Sequence, residues 1–198
     1  MKLYFHYMKV YLNSIMQYKI SFFLTVVGQF LTSFFAFLGV YFLFQRFNQI
    51  KGFYYGEVLL CFANVLLSFS LAEFFARGFD QFDGMLSNGQ FDRIMVRPRS
   101  EIFQTLASQF EISRIGKLIQ AVVIYYYAIP KSKINWTLDK VAVEIIMIIS
   151  RVILFATLFW IYAAICFFTT QGLEVFSILT DGSREFGRYP ISIYGEKI

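Results

Sequence analysis

Few side chains in this chain can do chemistry, and the most telling of them stand in apolar company. Glu144 and Arg151 lie seven residues apart in EIIMIISRVILFATLFWIYAAICFF, and Asn64 stands in VLLCFANVLLSFSLA. On a helix a seven-residue step is close to two turns, so Glu144 and Arg151 share nearly one face. If that helix begins at Val141, Arg151 is ~15 Å deep, where an unpaired charge costs at least ~2.5 to 3.5 kcal/mol and marks a cavity or a partner. A span beginning near Val152 would instead leave Arg151 to snorkel outward. Asn64 has two similar readings, an interhelical hydrogen bond or a group along a solute path.

The remaining chemistry is sparse. Cys61 and Cys166 fall in separate apolar runs with no ligand-spaced neighbour, so neither a metal site nor a disulfide framework is implied. His6, the only histidine, precedes the first apolar run among Tyr and Lys and reads as an interfacial residue. The chain contains no G-x-x-x-x-G-K-[ST] phosphate cradle, no H-E-x-x-H and no G-x-S-x-G. An enzyme is not expected, and any ATP used must be bound by another subunit.

The elements that hold these groups are membrane helices. ISFFLTVVGQFLTSFFAFLGVYFLF, residues 20–44, runs for twenty-five residues without Asp, Glu, Lys, Arg or Pro. As a helix it is ~37 Å long, enough to cross a ~30 Å hydrocarbon core with tilt. It is about twice as long as a signal-peptide core and lacks a small-x-small cleavage site, so it reads as a retained span. Further spans are expected over residues 57–76, 113–130 and 141–169, the third being shorter with Lys117 snorkelling to the headgroups. Composition agrees: 58% of residues are hydrophobic and 16% charged, against about 25% charged in soluble domains. The expected fold is an all-α integral membrane protein with at least four transmembrane helices in one domain, in contact with membrane lipid. Nucleic acid is not implied by the net charge of +5.

Orientation follows from Lys and Arg. The N-terminus, the segment 77–117 and the tail hold twelve of them, and the other two loops five. The positive-inside rule then places the N-terminus, central segment and tail in the cytoplasm. Tyr54, Tyr55, Tyr125 to Tyr127 and Trp136 fall near the expected outer boundary, as an aromatic belt would. Gly28, Thr32 and Ala36 form a small-residue stripe on the first span, suited to close helix packing within a subunit or between subunits. Glu73 and Arg77, one turn apart, read as a local ion pair.

The polar segment 77–112 is the most informative. Phe79, Phe82 and Leu86 recur at helical spacing, Asn88-Gly89 marks a turn, and Phe91, Ile94 and Met95 form a second apolar patch beside Asp92, Arg93, Arg97 and Arg99. Pro98 ends that element and Ser100 is placed to cap the next, with Ile102, Phe103, Leu106 and Phe110 on one side. Two or three short amphipathic helices are expected, flat against the inner leaflet. From the residues alone, the segment is either an ordinary positive-inside loop or a docking ledge for a cytoplasmic protein.

GQFDRIMVRPRSEIFQTLASQFEISRIGKLIQ, Gly89 to Gln120, resembles the segment after the second span of bacterial ABC type-2 permeases, in which a GxxDxxLxRP pattern recurs. EFGRYPISIY, Glu185 to Tyr194, is similar to an EFARYPLSIY element of the same group. The resemblance implies the membrane subunit of an ATP-driven exporter in a bacterial cytoplasmic membrane, with a second permease subunit, identical or not, and an ABC ATPase that binds ATP and Mg. In that family the loop after the second span carries the coupling helix, so Phe91, Asp92, Arg93, Arg97, Pro98 and Arg99 are its candidate contacts or support. Asn64, Glu144 and Arg151 are candidates for the translocation path of an amphipathic or hydrophobic substrate. Such permeases usually continue to about six spans, whereas this sequence stops at Ile198, and residues 170–198 read as an incomplete C-terminal region. The rival readings are an ion-coupled transporter, which would need more ionisable groups facing one another in the membrane, and a non-transporting scaffold or immunity-type protein.

Overall fold

The computed structural model describes residues 2–47, 49–108, 111–132, 134–169 and 174–194, without the side chains of residues 2–8, 175 and 177. His6 lies in the first helix with its side chain among those not described, and Phe110 lies outside the described residues. The described residues are mostly helical: α1 Lys2–Ile15, α2 Lys19–Arg46, α3 Tyr55–Asp80, α4 Phe82–Ser87, α5 Gln90–Met95, α6 Glu101–Leu106, α7 Ile115–Ala128, α8 Leu138–Thr169 and α9 Glu174–Gly187. The described residues contain no strand, only an isolated bridge between Ile50 and Phe53 in the turn before α3.

Among the described residues, three helical stretches are long and apolar enough to cross a membrane: Lys9–Arg46, Tyr55–Ser87 and Leu138–Thr169. The third expected span is not one long helix. α7 has 14 residues, continued at each end by 3-10 turns, Ile112–Arg114 and Ile129–Lys131. The tighter turns rise ~2 Å per residue, so the composite reaches ~33 Å, a bilayer's hydrocarbon thickness.

α3 is the central helix. Of its apolar window 72% is buried, against 11% for the first stretch and 6% for the last. A helix apolar on every side needs neighbours on every side, and α3 has α2, α7, α8 and α9 around it. One core cluster joins Val40 and Phe44 of α2 to Val58, Leu59, Phe62 and Ala63 of α3 and to Ala121, Ile124 and Ala128 of α7. A second joins Phe69, Ala72 and Phe79 of α3 to Phe155, Phe159 and Ala163 of α8, with Phe82, Met85 and Ile94 of the short helices. The apolar outer faces of α2 and α8 are left exposed, as lipid-facing surfaces would be.

Contacts along α3 give the directions. Gly56 lies against the Lys131 carbonyl and Glu73 pairs with Arg114, so α7 is antiparallel to α3. Phe69 packs on Phe155 and Phe159 and Phe79 stacks on Trp160, so α8 is parallel to it. α9 returns antiparallel: the Arg184 guanidinium sits 4.8 Å over the Phe69 ring and Arg188 5.4 Å over Phe62. The charged EFGRYP element thus packs along the middle of α3.

Candidate coupling surface and membrane-embedded polar site

α3 kinks at Ala76, whose backbone is non-helical (φ −114°, ψ 15°), and its last turn meets α6. Gly78 makes this possible: a Cβ there would lie 1.9 Å from the Thr105 carbonyl oxygen. α4 follows, then a turn in which Gly89 takes φ +63°, where glycine is favoured. α5 is seated by Phe91, whose ring meets Phe82 at 5.0 Å and Phe167 at 5.9 Å, and by buried Ile94.

Gln104 locks the next turn. Its side-chain amide donates to the carbonyls of Arg99 (3.0 Å) and Ile94 (3.4 Å), tying α6 to the end of α5. Ser100 stands at the N-cap position of α6 but makes no side-chain capping bond. The expected apolar face of α6 is also revised: Gln104 and Thr105 are buried, whereas Ile102 is exposed. Contact with α3 and α5 selected the polar side of this helix.

The coupling candidates therefore divide. Phe91 is half-buried and supports the ledge, whereas Asp92, Arg93, Arg97, Pro98 and Arg99 are exposed around its tip. Among the described residues, Arg93, Arg97 and Arg99 make no ion pair. The result is a rigidly seated ledge with three free guanidinium groups.

Behind the ledge lies a buried charge cluster. Glu73, 4% exposed, accepts from Arg114 at 2.9 Å and lies 3.7 Å from Arg77. Arg77 is 3.3 Å from Glu111 and also pairs with Asp80, and Arg114 donates to Gln29 of α2 at 2.5 Å. The Glu73–Arg77 pair is thus one edge of a network that includes three further charged residues. Lys117 does not snorkel outward; it is buried in α7 within electrostatic reach of Glu73. Three cations and three carboxylates balance here, which makes the burial tolerable.

A second polar site lies toward the opposite end. Arg151 Nη1 donates to Asn64 Oδ1 at 2.6 Å, and Asn64 Nδ2 donates to Glu144 Oε1 at 2.7 Å. The amide of α3 thereby bridges a guanidinium and a carboxylate of α8. The Tyr125 hydroxyl of α7 donates to the same Glu144 oxygen. α8 begins at Leu138, so Arg151 is thirteen residues inside the helix, and its guanidinium turns to Asn64 of α3. Tyr125, read from sequence as a belt residue, is turned into the bundle.

Asn64, Glu144 and Arg151 line a cavity of about 300 Å³ with Phe53, Glu57, Leu60, Cys61, Ile134, Trp136, Met147 and Pro190. The small-residue stripe behaves otherwise. A Cβ at Gly28 would meet nothing within 4 Å and Thr32 is exposed, whereas Ala36 packs against the first core cluster. The close approach to α2 comes at Gly116 instead, where a Cβ would lie 3.1 Å from the Val26 carbonyl. Gln120, with its amide turned to satisfy both partners, bonds the Phe30 carbonyl and the Phe34 N–H.

The sequence placed Glu144 and Arg151 on nearly one face and Asn64 in another span, and the fold brings all three together. Sequence reasoning missed Gln104, Gly78, Arg114 and Tyr125. A polar residue or glycine within an otherwise apolar or amphipathic helix was the signal available for each.

A family model described as ABC-2 family transporter protein matches residues 30–198. No curated protein and no solved structure matches the chain.

Proposed function

The chain belongs to the ABC-2 transporter protein family, and on that premise we propose that it is the membrane-spanning subunit of an ATP-driven exporter whose ATPase docks on the α4–α6 ledge. The family is that of multi-pass permease components, which normally work with an ABC ATPase. The observation that carries the docking assignment is the ledge itself. Arg93, Arg97 and Arg99 are exposed and unpaired on a support fixed by Phe91, Gln104 and Gly78. A platform already fixed in the free chain spares the backbone part of the ordering cost, leaving only the Arg rotamers to be ordered on meeting carboxylates of a partner, and Arg is favoured at such interfaces.

In this reading, segment 77–112 couples to the ATPase, which binds ATP and Mg²⁺, and a second permease subunit completes the path. The N-terminus and ledge are cytoplasmic, the membrane is the bacterial cytoplasmic membrane, and Asn64, Glu144 and Arg151 belong to the path. The exposed Gly28 and Thr32 are available for packing between subunits.

The test is capture from native cells with an N-terminal tag, comparing the parent with an Arg93→Glu, Arg97→Glu, Arg99→Glu variant. The expected result is an ATPase with the G-x-x-x-x-G-K-[ST] sequence recovered with the parent and lost with the variant. Equal recovery with both would move the docking surface elsewhere, and an ATPase with neither would remove the mechanism.

A further inference from the structure

We infer that the cavity between α3, α8 and the segment after α9 binds an amphipathic organic cation, which specifies the substrate class of the exporter reading and rests on it. Its wall is mainly apolar and aromatic: Phe53, Leu60, Trp136 and Met147 contribute, and about 300 Å³ is available. Two carboxylates, Glu57 and Glu144, face one guanidinium, Arg151. The Arg151 charge is matched within the wall, because Asn64 joins it to Glu144. Glu57 is left over.

One Glu57 oxygen accepts the Tyr54 N–H at 3.0 Å, and no cation among the described residues pairs with the carboxylate. Glu57 closes a capping box at the N-terminus of α3, which eases but does not cancel its charge; a carboxylate without an ion-pair partner in a cavity lined by Phe53 and Trp136 favours a cation with a hydrophobic body through charge and cation–π attraction together. An anion of the same shape would meet Glu57 without a matching donor. The polarizable Met147 and Cys61 add adaptable contact.

The probes are tetraphenylphosphonium and tetraphenylborate, which share shape and differ in sign. The full chain in lipid nanodiscs, carrying Trp160→Phe so that Trp136 is the only tryptophan, is titrated with each while its fluorescence is followed. Saturable quenching by the phosphonium, absent with the borate, is expected. Glu57→Gln, which keeps an acceptor for the Tyr54 N–H, should weaken phosphonium binding about tenfold. Equal binding of the two ions to the parent chain overturns the proposal without any carboxylate variant, as does an unchanged affinity in Glu57→Gln. Capture of the ATPase is scored on the same preparation. ATPase present without phosphonium binding removes the cation site and leaves the exporter reading. Phosphonium binding without an ATPase does the reverse.

Discussion

Replacing Asn64 by Leu should cost more than the loss of one buried amide, because that side chain bridges two opposite charges. The variant keeps the number and branching of side-chain heavy atoms and removes two interhelical hydrogen bonds, at 2.6 Å and 2.7 Å. Interhelical bonds in membranes average ~0.6 kcal/mol with a maximum near 1.7, so the pair is worth about 1 to 3 kcal/mol. For a chain of this size that corresponds to a fall in Tm of about 2 to 12 °C. Arg151→Met should cost a comparable amount by leaving Glu144 without its bridged cation, and Glu144→Leu likewise. The triple variant should nevertheless recover part of the loss, because apolar side chains replace Asn64, Glu144 and Arg151 together and only the Tyr125 hydroxyl loses its acceptor. Thermal unfolding in detergent, followed by loss of the monodisperse peak, gives all four values. If the triple variant is destabilised by the sum of the singles, the three residues do not act as one network and the reasoning fails.

Two further outcomes follow from the ledge and the charge cluster behind it. Gly78→Val would place side-chain carbon where the Thr105 carbonyl now sits 1.9 Å from a Cβ position, forcing α6 off α3; the chain should still insert, but tryptic cleavage after Arg93 and Arg99 should quicken and ATPase capture should drop. Glu73→Gln leaves Arg114, 2.9 Å away, with a neutral partner in a buried site, so a loss of about 3 kcal/mol or more, at least about 6 °C in Tm, is expected; Glu73→Gln combined with Arg114→Gln should be less damaging than Glu73→Gln alone.

The legible part of this fold was the set of features that a single helix carries by itself. Length and apolarity located α2, α3 and α8, and Asn88-Gly89 and Pro98 divided the ledge where the structure divides it. The burial of α3 was not legible, because α2 and α8 are just as apolar and only packing decides which helix is surrounded. Arg114 was counted for its contribution to loop charge, and nothing local in the sequence marks its partner forty-one positions away in Glu73. Tyr125 shows the same limit: a tyrosine near a span end suits an interface, and only the placement of Glu144 across from it turns the hydroxyl inward. Gln104 was hidden by its neighbours, since Ile102 and Phe103 suggested an apolar face that contact with α3 did not use.

The two polar sites also differ in which helices they tie together. α7 is bound to α3 by Arg114 to Glu73 near one end, and it shares Glu144 with Asn64 through Tyr125 near the other. Among the described residues, the polar contacts of α8 with α3 are at Asn64 and one turn on, where the Ser68 hydroxyl donates to the Ile148 carbonyl at 3.5 Å; toward the ledge the contact is aromatic, Phe69 with Phe155 and Phe159 and then Phe79 with Trp160. Directional bonds fix a register, whereas apolar side chains allow small sliding of packed helices. In the proposed coupling role, a push on the ledge passed through Thr105 to Gly78 would reach α3 and α7 together and meet α8 first at its aromatic contacts. Phe91 rests on Phe82 of α4 and Phe167 of α8, and the Asn64 bridge lies ~21 Å along α3 from Gly78, so that bridge would act as the pivot.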